Sequence, residues 1–301
     1  MSGRRLKAGF YRDATKIKSA IPRLHQSIAN VLVSRSPLHG WHKAFREEPE
    51  PFDDARNFGQ VAHELKSILL GPQSIVTIAS NDWRTMAARE QRDEALAAGK
   101  LPVLERRFAE AQKLLEILRL ELDRREIALS GESELTALWR AQNGVWCEGR
   151  MDHFIRPAKN ATAKNALIYD FKFMTSNATL RTCESRCIEN GYDIQHAAYV
   201  EAAETILPEL AGRVKMQFVF VEVEPPNAVR IAPLAGSMRT SGQWRWAKAQ
   251  RIWRECMENF GPAKPWPNYE DDGVSLECPA WALREQITEG QDFGRLSIDG
   301  D

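Results

Sequence analysis

The residues best suited to chemistry are two aspartates and a lysine. Asp152 stands in GRMDHFIRP (149–157), and Asp170 and Lys172 stand in NALIYDFKF (165–173). Each acid interrupts an apolar run of strand character, and the polar run 156–165, centred on residue 161, separates the two. A hairpin about that centre pairs positions whose numbers sum to about 322, which sets Asp152 opposite Asp170. Strand alternation puts Lys172 on the Asp170 face. Opposed residues have Cβ atoms about 4.5–5.5 Å apart, and like charges there repel. The neighbours Phe154, Ile155, Leu167, Ile168, Phe171 and Phe173 lower the local dielectric and sharpen the repulsion. Such an arrangement needs a cation. Lys172 supplies one charge, and a divalent metal held by both carboxylates supplies more. Oxygen donors without a Cys/His cluster favour Mg²⁺ or Mn²⁺. The competing reading is a surface hairpin with its charges in water.

Other candidates surround this triplet. Glu148 and Arg150 share the Asp152 face if the strand is regular. Either then joins the site, and Glu148 could instead neutralise Lys172. Gln195 and Tyr199 in YDIQHAAYVEA are four apart and share a helix face. His63 lies in FGQVAHEL, where an apolar helix face also suits a core histidine. QWRWAKAQRIW interleaves Trp244, Trp246 and Trp253 with Arg245, Lys248 and Arg251. That pattern fits base stacking with phosphate contact, or a tryptophan stripe in the core. Cys183 and Cys187 with His196 nearby could suggest zinc, but no second cysteine pair supports it, so free thiols are expected.

The triplet Asp152…Asp170-Phe171-Lys172 resembles the D…(D/E)xK signature of the PD-(D/E)XK nuclease superfamily. His63, the Gln195-x3-Tyr199 helix and SRSPLHGW (34–41) resemble its RecB/RecE-like branch, the exonuclease VIII-type exodeoxyribonucleases of phages and prophages. The likeness spans roughly residues 25–260. It implies a restriction-endonuclease-like mixed β-sheet core flanked by helices, and Mg²⁺-dependent hydrolysis of DNA phosphodiesters, Mn²⁺ being a substitute. Asp152, Asp170, His63 and the Phe171 main-chain carbonyl would be metal ligands, Lys172 would orient or help deprotonate water, and Gln195 and Tyr199 would brace the site. The implied substrate is linear duplex DNA degraded from its ends, the implied partners a single-strand annealing protein and further copies of the chain. The iron–sulfur subset of the family needs a cysteine upstream of the nuclease motifs. No cysteine precedes Cys147, so no iron–sulfur cluster is expected. A catalytically silent DNA-binding module and a structure-specific endonuclease are the alternatives.

The elements that must hold these residues follow from periodicity. Residues 14–33 read as short helical pieces broken at Pro22, and 34–45 as a turn. Residues 57–71 and 83–98 are helical, and 102–128 form a long amphipathic helix with Pro102 near its start. Strands follow at 133–142, 144–156 and 165–173, the first two joined through Asn143-Gly144. A helix at 192–207, strands at 214–224 and 228–234, and a helix at 240–259 complete a mixed α/β pattern. The expected organisation is a helical segment over 1–130 that carries His63 and packs on the core, the core over 131–262, and an acidic, Pro-containing tail over 263–301.

Composition sets the outer bounds. The chain has 301 residues, 43% hydrophobic and 27% charged, enough for a sizeable core. Net charge is zero, but residues 1–46 hold ten Lys/Arg against one acid, whereas 268–301 hold nine acids against two arginines. The basic end suits an anionic partner. Five scattered cysteines fit a reducing, cytoplasmic setting in a bacterium or as a phage product. No apolar run reaches the ~20 residues of a membrane helix, and no secretory signal follows the basic start. No GxxxxGK[ST] occurs, so the chain cannot power unwinding.

Overall fold

The structure is a computed structural model that describes residues 6–12, 17, 20–48, 52–54, 58, 61, 62, 75–127, 130–157, 165–269, 275 and 277–279. The chain divides into two units, Met1–Asn268 and Tyr269–Asp301. All that follows concerns the first.

Its centre is a six-stranded mixed sheet in the order β1-β4-β5-β6-β7-β8. The strands are β1 (Gly9–Tyr11), β4 (Glu132–Arg140), β5 (Trp146–Ile155), β6 (Ala166–Met174), β7 (Val214–Glu222) and β8 (Val229–Pro233). Within this sheet only β6 and β7 run parallel among the described strands, and their connection contains helices α5 (Leu180–Glu189) and α6 (Tyr192–Ile206). A parallel pair needs such a crossover, whereas the antiparallel β4–β5 pair needs only a tight turn. That turn is the expected Asn143-Gly144, with Gly144 at φ +87°.

Period-two patterning gives β6 and β7 two buried faces. Ala166, Ile168, Met216, Phe218 and Phe220 look toward α6, and Tyr169, Phe171, Val219 and Val221 toward α4 (Glu105–Arg124). The strands are therefore apolar throughout, as expected where helices cover both sides. Helix α6 is the central element of the first face. It lies between the sheet and α7 (Gly236–Asn259) and is buried nearly all round, Ala197, Ala198, Ala202 and Ala203 letting its neighbours approach. Helices α1 (Gln26–Ser34) and α2 (Pro37–Phe45) complete this layer. On the other side a two-stranded parallel sheet, β2 (Ile75–Ile78) with β3 (Leu101–Leu104), packs with α3 (Met86–Ala97) and α4.

The N-terminal 130 residues, a helical segment by the sequence reading, also contain strands. β1, β2 and β3 lie there, and β1 joins the main sheet beside β4. These strands are three or four residues long, too short to display a period. The 34–45 segment is a helix rather than a turn. Pro37 is its first residue, where a missing N–H costs nothing, and Ser36 precedes it. Pro102 lies in β3, not at a helix start.

Candidate active site at a fork in the sheet

β5 and β6 pair as expected, but briefly. The rungs are Ile155–Leu167, Phe154–Ile168 and His153–Tyr169, each summing to 322. The next rung would be Asp152–Asp170, and there the ladder stops. β6 continues in full register with β7 to Met174, while β5 continues along β4. The two strands thus fork, and the two acids stand at the crotch.

Each acid is fixed differently. The Phe171 N–H, which has left the ladder, donates to Asp152 Oδ2 at 2.7 Å. N–H and C=O of one strand residue leave the same edge, so the Phe171 carbonyl also points into the fork. Asp170 is 1% exposed. Gln195 Nε2 donates to its Oδ1 at 2.7 Å, and Lys172 Nζ lies 2.6 Å from its Oδ2. Lys172 also donates to Gln195 Oε1 at 2.9 Å, so one amide spans acid and base. The Tyr192 ring lies 4.4 Å from the ammonium. Burial alone would push the Lys172 ammonium down. Asp170, Tyr192 and Asp152 outweigh it and hold the pKa above the ordinary lysine value.

Tyr199 closes the fork from the helix side. Its hydroxyl donates to the Arg150 carbonyl at 2.5 Å, taking a β5 acceptor where β6 has turned away. Burial and the charges of Asp170 and Asp152 push the phenol well up, so it stays a donor. The ring reaches this place only because residue 149 is glycine. A Cβ there would sit 2.6 Å from a Tyr199 ring carbon. A glycine inside a strand marks such close approaches, and Gly149 is the signal of this one in the sequence.

Two expected site residues point elsewhere. Met151 and Phe154 belong to the same core cluster although three apart, so face alternation breaks at Asp152. On β4 the residue facing it, Glu134, has φ +52°, and no 134–152 rung forms. Glu148 and Arg150, assigned to the Asp152 face on the assumption of a regular strand, are turned away by this break. Glu148 pairs with Arg23 at 2.9 Å and Arg150 with Glu134 at 2.7 Å. The partner of Lys172 is Asp170, not Glu148. His63 lies outside the described residues, next to helical and buried Val61 and Ala62.

The donor set is two carboxylates and a carbonyl at one crotch. That suits Mg²⁺, which uses one or two carboxylates and keeps several waters. Among the described residues it lacks the thiolates and imidazoles that most zinc sites are built on. Cys183 and Cys187 are buried on α5, and burial pushes the Cys187 thiol up to about 12. Among the described residues no three His, Cys, Asp or Glu side chains cluster as ligands.

No family model matches the chain, and no curated protein matches it in sequence. Among solved structures it is similar to a crystal structure from Eubacterium rectale whose protein carries the provisional name of an exonuclease. The two share 16% identity over 90% of this chain and 94% of that one, with a TM-score of 0.53. This likeness establishes the fold, a mixed sheet flanked by helices. A second structure, of the protein SSO0001, covers 68% of this chain and 84% of its own at 16% identity, and its TM-score of 0.28 carries no weight. Among the described residues no helix is long and apolar enough to cross a membrane.

Proposed function

We propose that the protein is a Mg²⁺-dependent deoxyribonuclease of the PD-(D/E)XK type, RecE-like, degrading linear duplex DNA from its ends in phage-type recombination or DNA processing. The observation that carries the reading is the meeting of Asp152, Asp170 and Lys172 at the fork, with Gln195 joining two of them. The fold shared with a protein provisionally named an exonuclease is consistent with it.

In this reading Asp152, Asp170 and the Phe171 carbonyl would hold the metal, with His63 as a further ligand and Mn²⁺ as a substitute. The bound ion would supply a water of lowered pKa and offset the charge that builds on the phosphate. The chain's own residues do the rest. Lys172, held charged beside the acids, orients the attacking water and meets the growing negative charge. Gln195 fixes the spacing of Lys172 from Asp170. Tyr199 keeps β5 and β6 apart, and the buried surroundings of the acids strengthen each of these charge contacts.

Ring-like homo-oligomers and an annealing partner belong to the same proposal, as does residence in a bacterial cytoplasm. The test incubates the chain with linear and closed circular duplex DNA, with Mg²⁺ and with EDTA. Loss of linear DNA alone, abolished by EDTA and by Asp170→Asn, is expected. Equal nicking of circles would make it an endonuclease. Binding without cleavage under Mg²⁺ or Mn²⁺ would make it a silent DNA-binding module.

A further inference from the structure

The α7 tryptophans divide. Trp246 and Trp253 are buried, and Trp244 is 63% exposed. One turn on, Lys248 Nζ lies 5.2 Å from the Trp244 ring centroid. Cations dominate the helix around this pair. Arg239, Arg245, Lys248, Arg251 and Arg254 precede its first acids, the exposed Glu255 and Glu258. Segment 20–46, whose helices α1 and α2 pack against α7, adds four cations, of which Arg23 pairs with Glu148 and Lys43 with Glu47. Arg245 is spent on Asp193 and Arg254 reaches Glu258, while Arg239 and Arg251 are exposed.

An exposed cation–π pair stabilises a helix only slightly, which is weak reason to leave an indole in water. It is well matched to an unpaired base, which stacks on the ring while neighbouring cations meet the phosphates. Duplex DNA hides its base faces and would use the cations alone. We propose that the outer face of α7, around Trp244, Lys248 and Arg251, binds single-stranded DNA. The proposal rests on the nuclease reading for its source of strand: removing one strand from a duplex end leaves the other unpaired.

Fluorescence anisotropy of a labelled dT oligonucleotide, in EDTA, reads binding apart from cleavage. Trp244→Ala weakens single-strand binding about tenfold, within the range for one stacked base, and leaves an equally long blunt duplex within about twofold. Trp244→Phe keeps most of the single-strand affinity. Lys248→Ala weakens both and lowers the single-strand salt slope by about 0.7. Circular dichroism checks that each variant is folded. Unchanged single-strand affinity in folded Trp244→Ala overturns the proposal. So does a change of oligomeric state in that variant without a change in binding, which would make the face a contact between copies. The nuclease reading fails separately, if the wild-type chain binds single strands through Trp244 yet cleaves no DNA with Mg²⁺.

Discussion

Asp170 and Asp193 are both buried acids, each facing one cation, on opposite sides of α6. Asp193 belongs to the helix and looks toward α7. Arg245 Nη1 reaches its two oxygens at 2.7 and 2.9 Å, and Ser241 donates at 3.3 Å. There α7 crosses so closely that a Cβ on Gly242 would sit 2.1 Å from the Asp193 carbonyl oxygen. Gln195, two residues on and so about 200° round the helix, faces the sheet and Asp170. Asp170 meets a lysine and an amide, with a second acid across the fork. A guanidinium is a fixed fork of donors, and an ammonium is a compact charge on a flexible stem. One helix thus carries a closed clamp on one side and a rearrangeable group on the other.

Breaking each acid should separate these roles. The largest effect is Asp170→Asn, which lowers the proposed Mg²⁺-dependent cleavage at least about 10⁴-fold, more than 5 kcal/mol of activation free energy, and shifts the urea midpoint little. Asp193→Ala does the reverse. It strands a buried guanidinium and costs about 4 kcal/mol of stability in urea. An unaltered midpoint there would mean that Arg245 finds water, and that the clamp is not closed.

A third effect sharpens the clamp side by pH. Burial, and then Arg239, lowers the His196 pKa from 6.5 to about 4. The folded state therefore keeps His196 neutral while the unfolded chain takes up a proton. The stability contribution is whole above pH 6.5 and falls as pH drops toward 4, by roughly 3 kcal/mol. His196→Gln should flatten that slope, and a slope unchanged from wild type would assign it to other groups. The smallest effect is on the fork side. Gly149→Ala drives a methyl into the Tyr199 ring and costs about 2 kcal/mol. It also slows cleavage, because the ring that spaces the strands must move. Cleavage at the wild-type rate would show that Tyr199 does not set the fork.

The legible parts of this fold were those with a repeating pattern. The polar run centred on 161 gave the β5–β6 register, and helical spacing put Gln195 and Tyr199 on one face, where both reach the fork. The fork itself left no periodic trace. It arises because β6 follows β7 while β5 follows β4, a matter of partners far apart in the chain. The break at Asp152 was hidden for a related reason. The residue opposite with positive φ is Glu134, not a glycine that would have announced it. Glu148 and Arg150 were misassigned as a direct result. The strands of the first 130 residues are too brief for alternation to register. The α7 motif split because stacking and core patterns share one composition, and only burial separates Trp244 from Trp246 and Trp253.

The three rungs that close β5 on β6 lie between the 156–165 connection and the two acids. They act as a buffer against changes of chain length. Residues added or removed within that connection are absorbed before the crotch, whose position depends on β4 and β7. The connection is therefore the natural place for relatives to differ in length, and for an engineer to graft a tag or a second binding module, without touching Asp152, Asp170 or Lys172.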